Sequence, residues 1–232
     1  MQFNSKTRLL VVAAHPDDEV LGCGGTILKA IKHGVQVGIM FLGEGISARF
    51  PVGQYDSLEF QRQTECRKKE TEKALKTLGV KTAWFGERLC VQFDTYPFLS
   101  LTKDIEEKIK KFRPTMLFTH NPSEVNIDHR ITYEAVEVAS RPVNDWFPKE
   151  IYAFEVACSG NWKFDPYFHP NVFVNIEEFW TKKMQAWHCY KGEQRPFPHF
   201  RSGKGLEILA AFRGMVVGMK KAEAFRLVRK VA

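Results

Sequence analysis

The chain has 232 residues, 44% of them hydrophobic and 26% charged, which is the composition of an ordinary soluble globular protein. The formal net charge of +7 favours anionic partners, but basic and acidic residues are interleaved and no nucleic-acid-binding motif occurs, so we expect no nucleic-acid partner. The five cysteines show no C-x-x-C spacing, and neither a signal peptide nor an 18-residue apolar run occurs, which predicts a cytoplasmic protein without disulfides or a membrane span.

The first two-thirds of the chain alternates short apolar runs with helical periodicity. Some of the helical patterns end at a glycine, such as Gly34 and Gly79, and another ends before Pro114. In chain order we predict a strand over 8–14, a helix over 19–33, a strand over 35–42, a helix over 57–78, a strand over 80–85, a helix over 101–112, a strand over 115–120 and a helix over 128–140.

The predicted strands lack the alternation of polar and apolar residues that half-exposed strands show. Strands of this kind, separated by helices, indicate a parallel sheet that is covered on both faces. Right-handed crossovers then give an α/β, Rossmann-like three-layer fold with a mostly parallel sheet.

The pattern loosens beyond Pro148, although no repeat or linker interrupts the chain. We therefore expect a single domain over 1–232, with a core at about 8–156 and a C-terminal embellishment at about 157–232. In this last part we predict strands over 151–156 and 171–176 and helices over 177–190 and 205–219.

Ligands of open parallel sheets bind beyond the carboxyl ends of the strands, and the loop after the first strand reads Ala-His-Pro-Asp-Asp-Glu at 14–19. Acidic residues at the start of a helix can be simple caps. That explanation leaves out His15, which lies three residues before Asp18. Across a strand-to-helix turn this spacing can direct one imidazole nitrogen and one carboxylate oxygen at a common point.

A second histidine, His129, follows the long polar loop after the strand at 115–120. Taken alone it could be a capping or exposed residue, but with His15 and Asp18 it completes a set of two histidines and one carboxylate. Three protein ligands leave positions open for water and substrate, as in catalytic metal sites. Zn²⁺ fits a hydrolase, and the same set also suits Fe²⁺.

The motif at 14–19, together with Ile-Asp-His-Arg at 127–130, resembles the PIG-L/LmbE family of N-acetyl sugar deacetylases. Further matches are Gly-Glu-Gly at 43–45, the pattern from Arg67 to Gly79, and Ala-Glu-Ala-Phe at 222–225, so that the resemblance covers about 8–226. It implies an LmbE-like fold, hydrolysis of an N-acetyl group from a hexosamine, and often a homo-oligomer. By position, the resemblance implies that His15, Asp18 and His129 are metal ligands and that Asp17 is the general base.

The chemistry requires a carboxylate that is not used on the metal, because the attacking water must lose a proton. Asp17, adjacent to Asp18, is the candidate. Asp128 is expected either to cap a helix or to orient a metal ligand as part of the catalytic machinery.

The chain departs from the family pattern at Asn126, where many relatives carry a histidine that serves as acid or oxyanion stabiliser. An amide can donate a hydrogen bond but cannot deliver a proton. Asp17 could return the proton itself, or another histidine could act. The candidate histidines are His120, His188 and His199.

Substrate contacts are expected from Arg49, in the loop after the second strand, and from Asn126 and His120. Arg49 could bind sugar hydroxyls or a phosphate, or be a solvated loop arginine. Aromatic side chains could form a surface on which a sugar stacks. The candidates are Trp146, Phe147, Trp162, Tyr167 and the segment 197–200.

The sequence thus predicts a zinc enzyme that deacetylates a small N-acetylhexosamine compound, such as a sugar nucleotide or a glycoconjugate precursor of polysaccharide biosynthesis. An amide hydrolase acting on another acylated metabolite or a thiol-linked glucosaminyl conjugate is the main alternative. A nucleotide-binding module is disfavoured, because the glycines at Gly22, Gly24 and Gly25 fall inside the first helix and G-x-G-x-x-G is absent.

Overall fold

A computed structural model describes residues 1–143 and 145–232. Within these ranges one sheet contains seven strands, the first five of which alternate along the chain with α-helices. The strands are β1 (Arg8–Ala13), β2 (Gln36–Gly43), β3 (Thr82–Arg88), β4 (Met116–His120), β5 (Glu150–Phe154), β6 (Val172–Asn175) and β7 (Ala222–Lys230). The helices are α1 (Asp18–Lys32), α2 (Leu58–Leu78), α3 (Phe98–Phe112), α4 (Ile127–Ala139), α5 (Trp180–Trp187) and α6 (Gly203–Met215).

The sheet has the strand order β3-β2-β1-β4-β5-β7-β6. The five strands from β3 to β5 are mutually parallel, and β7 pairs antiparallel with both β5 and β6. This arrangement confirms the α/β, Rossmann-like prediction. Because β1 and β4 are parallel neighbours, the loops after them open at the same edge of the sheet. The strand order reverses between these two strands, and ligands of such folds bind at that point.

Both faces of the sheet are covered, as the apolar strand sequences predict. Alternate residues of β1 point to opposite faces. Leu9, Val11 and Ala13 pack with α1, α2, α5 and α6, whereas Leu10 and Val12 pack with α3 and α4. The two hydrophobic layers hold β1 rigidly, and with it the loop that follows.

The glycines of α1 allow this helix to lie close to the sheet. A Cβ atom at Gly22 would lie 2.3 Å from the ring of Phe154, and one at Gly25 would lie 2.7 Å from Ile176. Their role is thus close packing.

Helix α1 is kinked at Cys23, whose φ of −148° is not helical. Beyond the kink the backbone N–H groups of Gly25 and Thr26 donate to the carboxylate of Glu223, at 2.8 and 2.7 Å. Lys183 donates to the same carboxylate at 2.7 Å. A side chain of β7 therefore caps the second half of α1, in the way that a carboxylate caps a helix start.

The C-terminal part is more than an embellishment of a finished core, because it supplies β6 and β7 to the sheet and α5 and α6 to one of its faces. The sequence prediction missed β7 altogether. The assignment of 1–232 to a single domain stays a prediction. None of the helices in the described part of the chain has the length and apolarity needed to cross a bilayer.

Candidate active site

Residues that follow or end β1 and β4 meet at the carboxyl ends of these two strands. His15 and Asp18 follow β1, and His120 ends β4. His129 belongs to the first turn of α4, which begins after Asn126. These side chains are brought together because parallel neighbouring strands end at the same edge of a sheet.

His15, Asp18 and His129 form the cluster that the sequence predicts. His15 Nδ1 lies 3.7 Å from Asp18 Oδ2, and His129 Nε2 lies 3.5 Å from Asp18 Oδ1. One ligand atom from each residue lies within 4.8 Å of the other two. All three side chains are buried. Two imidazole nitrogens and one carboxylate oxygen at this spacing can converge on one cation.

A second carboxylate orients each histidine. His15 Nε2 lies 2.7 Å from Asp128 Oδ2, and His129 Nδ1 is hydrogen-bonded to Glu124. Each imidazole therefore uses one ring nitrogen on a buried carboxylate and leaves the other facing Asp18. Histidine ligands of metals are held in this way in many proteins.

The residues present fit a divalent metal. Asp18 Oδ2 accepts the backbone N–H of His15 at 2.8 Å, whereas the buried Asp18 Oδ1 has no hydrogen-bond partner among the described residues. An unpaired buried carboxylate oxygen is costly, and a cation between His15, Asp18 and His129 would satisfy it. The second group of possible ligands, His120, Glu124 and His129, is a poorer site because Glu124 is already bonded to His129 and to the backbone N–H of Val156.

The charge states suit cation binding. Burial acts to raise the pKa of Asp18, but the nearby histidines outweigh burial and hold that pKa well below its ordinary value. Burial and the neighbouring His120 lower the pKa of His129. For His15, burial acts to lower the pKa, but the hydrogen bond to Asp128 outweighs it and raises the pKa. A bound cation would compete with the proton on His15.

Asp17 lies beside the ligand cluster without belonging to it. It is the N-cap residue of α1, makes no side-chain cap hydrogen bond and has a φ of 123°, a conformation that residues other than glycine rarely adopt. Its Oδ2 lies 3.1 Å from Nη1 of Arg201, and its backbone N–H donates to Glu19. Burial raises the pKa of Asp17, and the charge of Arg201 opposes that rise. Asp17 is thus a carboxylate beside the ligands and outside their set.

Three arginines surround the carboxylate of Glu193, on the side of the site next to Asp17. Arg49 and Arg67 both donate to Glu193 Oε1, and Arg201 donates to Oε2 at 2.7 Å. Although Glu193 is buried, Arg67 foremost and then the other two hold its pKa below the ordinary value. Arg49, the predicted sugar contact, is the most exposed of the three, with 34% of its side chain accessible.

His120 and Asn126, the other predicted substrate contacts, and His188, a candidate proton donor, lie in three different surroundings. His120 is fully buried, stacked on His129 with 4.0 Å between ring centroids, and its Nε2 accepts the N–H of Ala14. Asn126 caps α4 by accepting the N–H of Asp128 at 2.9 Å. His188 is exposed at the end of α5.

The predicted aromatic surface divides between two edges of the sheet. Trp146 donates to the carbonyl of Pro114, just before β4, and Phe147 packs against Lys149 and Arg229. Both follow α4 and lie at the amino end of β4 and β5, so their assignment to a sugar surface at the site is wrong. Trp162, half-exposed, contacts His199 near Arg201.

Sequence reasoning assigned no role to Glu124, Glu193 or Arg201, and Arg67 served only as part of a motif. Glu124 lies in the same polar loop as Asn126, five residues before His129, and that spacing was the available signal. The contact between Arg201 and Asp17 joins residues 184 positions apart, and no local pattern indicates it.

Comparison with known proteins places the chain in a family. The model of the PIG-L family, described as GlcNAc-PI de-N-acetylase, matches residues 10–140, which is more than half of the chain. The diacetylchitobiose deacetylase of Thermococcus kodakarensis is 27% identical over 243 aligned residues, covering 97% of this chain and 85% of that protein. The mycothiol S-conjugate amidase of Streptomyces coelicolor is 31% identical over 154 residues, covering 59% of this chain and 53% of that protein.

A solved structure agrees with the fold. The N,N'-diacetylchitobiose deacetylase of Pyrococcus horikoshii superimposes with a TM-score of 0.76 at 24% identity, covering 96% of this chain and 84% of that chain. At 24% identity the structural similarity supports the fold alone, and the match to the family model supports the type of reaction. The resemblance found in the sequence is therefore confirmed: this chain belongs to the PIG-L family and is a hydrolytic N-deacetylase.

Proposed function

We propose that the chain is a zinc-dependent enzyme that removes the N-acetyl group of an N-acetylhexosamine-containing substrate and releases acetate. The observation that carries the proposal is the separation of two adjacent carboxylates. Asp18 faces His15 and His129, whereas Asp17 is bonded to Arg201. Metal-assisted hydrolysis of an amide uses groups that hold the metal and a separate group, outside the ligand set, that moves protons.

His15, Asp18 and His129 would hold the metal, which when bound lowers the pKa of water and polarises the amide carbonyl. Asp17 accepts a proton from the attacking water and returns it to the leaving amine. Asp128 and Glu124 keep the two imidazoles in the tautomers whose free nitrogens face Asp18. Fe²⁺ is compatible with the same three ligands.

The substrate class is inferred from the named relatives and from the groups around the site. Diacetylchitobiose, in the name of one relative, is an N-acetylated sugar. Trp162 offers a half-exposed ring near His199 on which a sugar can stack. The partly exposed Arg49 can bind a hydroxyl or a phosphate, as expected for a sugar nucleotide or a glycoconjugate precursor.

A second candidate is an amidase acting on a thiol-linked glucosaminyl conjugate. The 31% identity to a mycothiol S-conjugate amidase favours it. Both reactions cleave an amide on a glucosamine nitrogen and use the same residues, so they differ in the acyl group that the site accepts.

The proposal is tested by acetate release from free, nucleotide-linked and lipid-linked N-acetylhexosamines, with and without a chelator. We expect release from at least one of these, loss of release on chelation, and recovery when Zn²⁺ is restored. Fe²⁺ restored under anaerobic conditions decides between the metals. Acetate release that continues unchanged in chelator would refute the metal mechanism, and cleavage of a glucosaminyl thiol conjugate alone would favour the second candidate.

A further inference from the structure

Arg201 occupies a position that the proposed reaction leaves without an explanation. Its Nη1 contacts both Asp17, at 3.1 Å, and Glu193, at 2.7 Å. Its Nε is buried and has no hydrogen-bond partner among the described residues. A cationic group with a spare buried donor therefore lies next to the carboxylate that handles the protons.

The backbone around Arg201 is well fixed. The residue directly precedes Ser202, whose hydroxyl caps α6 by accepting the N–H of Gly205 at 2.8 Å. The N–H of Arg201 itself donates to Nδ1 of His199 at 3.0 Å. A side chain anchored by a helix start can be preorganised, which is what electrostatic catalysis requires.

Other polar side chains near the site have different surroundings. Arg67 is 2% exposed and donates from its two Nη atoms to the carbonyl of Pro16 and to Glu193. Its Nε is also buried without a hydrogen-bond partner among the described residues, but Arg67 makes no hydrogen bond to Asp17. His120 is fully buried behind His129. Asn126 uses its side-chain oxygen to cap α4, and its amide N–H carries no charge. Among the described residues these contacts leave Arg201 as the cation in direct contact with Asp17.

We propose that Arg201 is a catalytic residue that donates a hydrogen bond to the acyl oxygen when water adds to the amide carbonyl. The inference rests on the proposed function. A general base lies within about 3 Å of the water it deprotonates, and that water lies about 3–3.5 Å from the carbon it attacks. A guanidinium bonded to Asp17 is thus within reach of the groups on that carbon.

The charge transfers of the reaction suit this placement. As water attacks, one of its O–H bonds breaks and the proton passes to Asp17, while the new C–O bond pushes the carbonyl π pair onto the acyl oxygen. Negative charge thereby moves from Asp17 to the substrate, and Arg201 faces an anion before and after the step. On collapse, Asp17 gives the proton to nitrogen, the C–N bond breaks with its pair on nitrogen, and the carbonyl re-forms in the acid product.

The first test compares Arg201→Ala and Arg201→Lys with the wild-type enzyme. We expect kcat to fall about 10²–10³-fold in Arg201→Ala, with a much smaller change in KM, and partial recovery of kcat in millimolar guanidinium chloride. Lysine keeps the positive charge but lacks the planar guanidinium group with its several N–H donors, so the kcat of Arg201→Lys should also remain below that of the wild type. Arg195→Ala is the matched control, because Arg195 is exposed and bonds the carbonyls of Gly192 and Gln194. Its kcat should be unchanged.

The second test measures binding. A methylphosphonamidate of glucosamine mimics the tetrahedral intermediate, and calorimetry gives its Kd. In an Asp17→Asn background, addition of Arg201→Ala should weaken the phosphonamidate about 10²-fold and the planar N-acetyl substrate much less. Arg201→Lys replaces Arg201→Ala in both tests if the alanine variant does not fold.

The outcomes separate the two proposals. Equal weakening of both ligands, or failure of guanidinium to restore any activity, would overturn the role of Arg201 and leave it as a structural contact of Glu193. A wild-type enzyme that deacetylates no sugar would instead overturn the proposed function. Wild-type activity together with a fully active Arg201→Ala would overturn the role of Arg201 alone.

Discussion

Asp17 and Asp18 are adjacent in the chain, yet their side chains have different surroundings. Asp18 faces three histidines, which lower its pKa, whereas burial raises the pKa of Asp17. Asp17 has a positive φ, and its carboxylate is bonded to Arg201. Two adjacent, chemically identical carboxylates thus lie in different electrostatic surroundings.

Asp17→Asn should keep the metal and lose activity. Asparagine tolerates the positive φ of this position, so the backbone is retained while the proton acceptor is lost. We expect about 10²–10⁴-fold lower kcat/KM, with the metal content per chain unchanged as measured by atomic absorption. Asp18→Asn is the matched variant and should lose the metal as well. Near-normal turnover by metal-loaded Asp17→Asn would contradict the assignment of the base.

Asp128→Asn should weaken metal binding without removing a ligand. The substitution takes the charged acceptor away from His15 Nε2, which Asp128 holds at 2.7 Å. We expect roughly 10–100-fold lower affinity, measured by competition with a chromophoric chelator. Glu137→Gln removes an exposed carboxylate from the same helix and should leave the affinity unchanged. Equal affinities of Asp128→Asn and wild type would show that the orienting contact is dispensable.

The sequence predicted those site residues whose positions depend on their neighbours in the chain and on the ends of predicted strands. His15, Asp18 and His129 could be found because each follows a strand whose carboxyl end faces the same edge. Arg201 could not be found, because its position depends on how α6 packs far along the chain. The position of Trp146 could have been predicted, because it lies between a predicted helix and the next predicted strand, and such loops lie at the amino edge of a parallel sheet, opposite the ligand site.

Among the elements, α1 carries the site on its first turn and a kink in its middle. The half beyond Cys23 depends on Glu223, which accepts the N–H groups of Gly25 and Thr26 and pairs with the buried Lys183. The sequence prediction contained neither the kink nor β7. The reason is that β7 is buried in its first half and alternates with solvent in its second, so that no single periodicity covers it.

Glu223→Ala should destabilise the fold strongly. It leaves the ammonium of Lys183 without its carboxylate in the interior and removes the cap of α1, and loss of one partner of a buried pair costs about 3–5 kcal/mol. Urea denaturation gives the free energy of unfolding. Glu177→Ala breaks an exposed pair with Lys220 and should cost less than about 1 kcal/mol. Similar losses in both variants would contradict the importance of the cap.

For the whole molecule, the loops of the candidate site connect elements on both faces of the sheet. His15 and Asp18 adjoin α1 on one face, and His129 belongs to α4 on the other. A cation bound between them would link the two layers. Because it binds the folded chain and not the unfolded one, it must stabilise the fold.

Chelation should therefore lower the thermal unfolding midpoint. With metal at 100 times its Kd the stabilisation is about 2.7 kcal/mol, which corresponds to roughly 5–10 °C for a chain of this size. Differential scanning calorimetry with and without a chelator measures the shift. His129→Ala should show no metal-dependent shift. An identical wild-type midpoint in both conditions would argue against a bound metal.

The cap on α1 also bears on the order in which the chain acquires its structure. Glu223 lies 198 residues after Gly25, so a growing chain has made almost all of its length before that contact can form. Pairings this distant in sequence are slow to form. Until β7 docks, the second half of the helix whose first turn presents Asp18 lacks its cap. We therefore expect metal binding during refolding to follow the docking of β7 rather than to precede it.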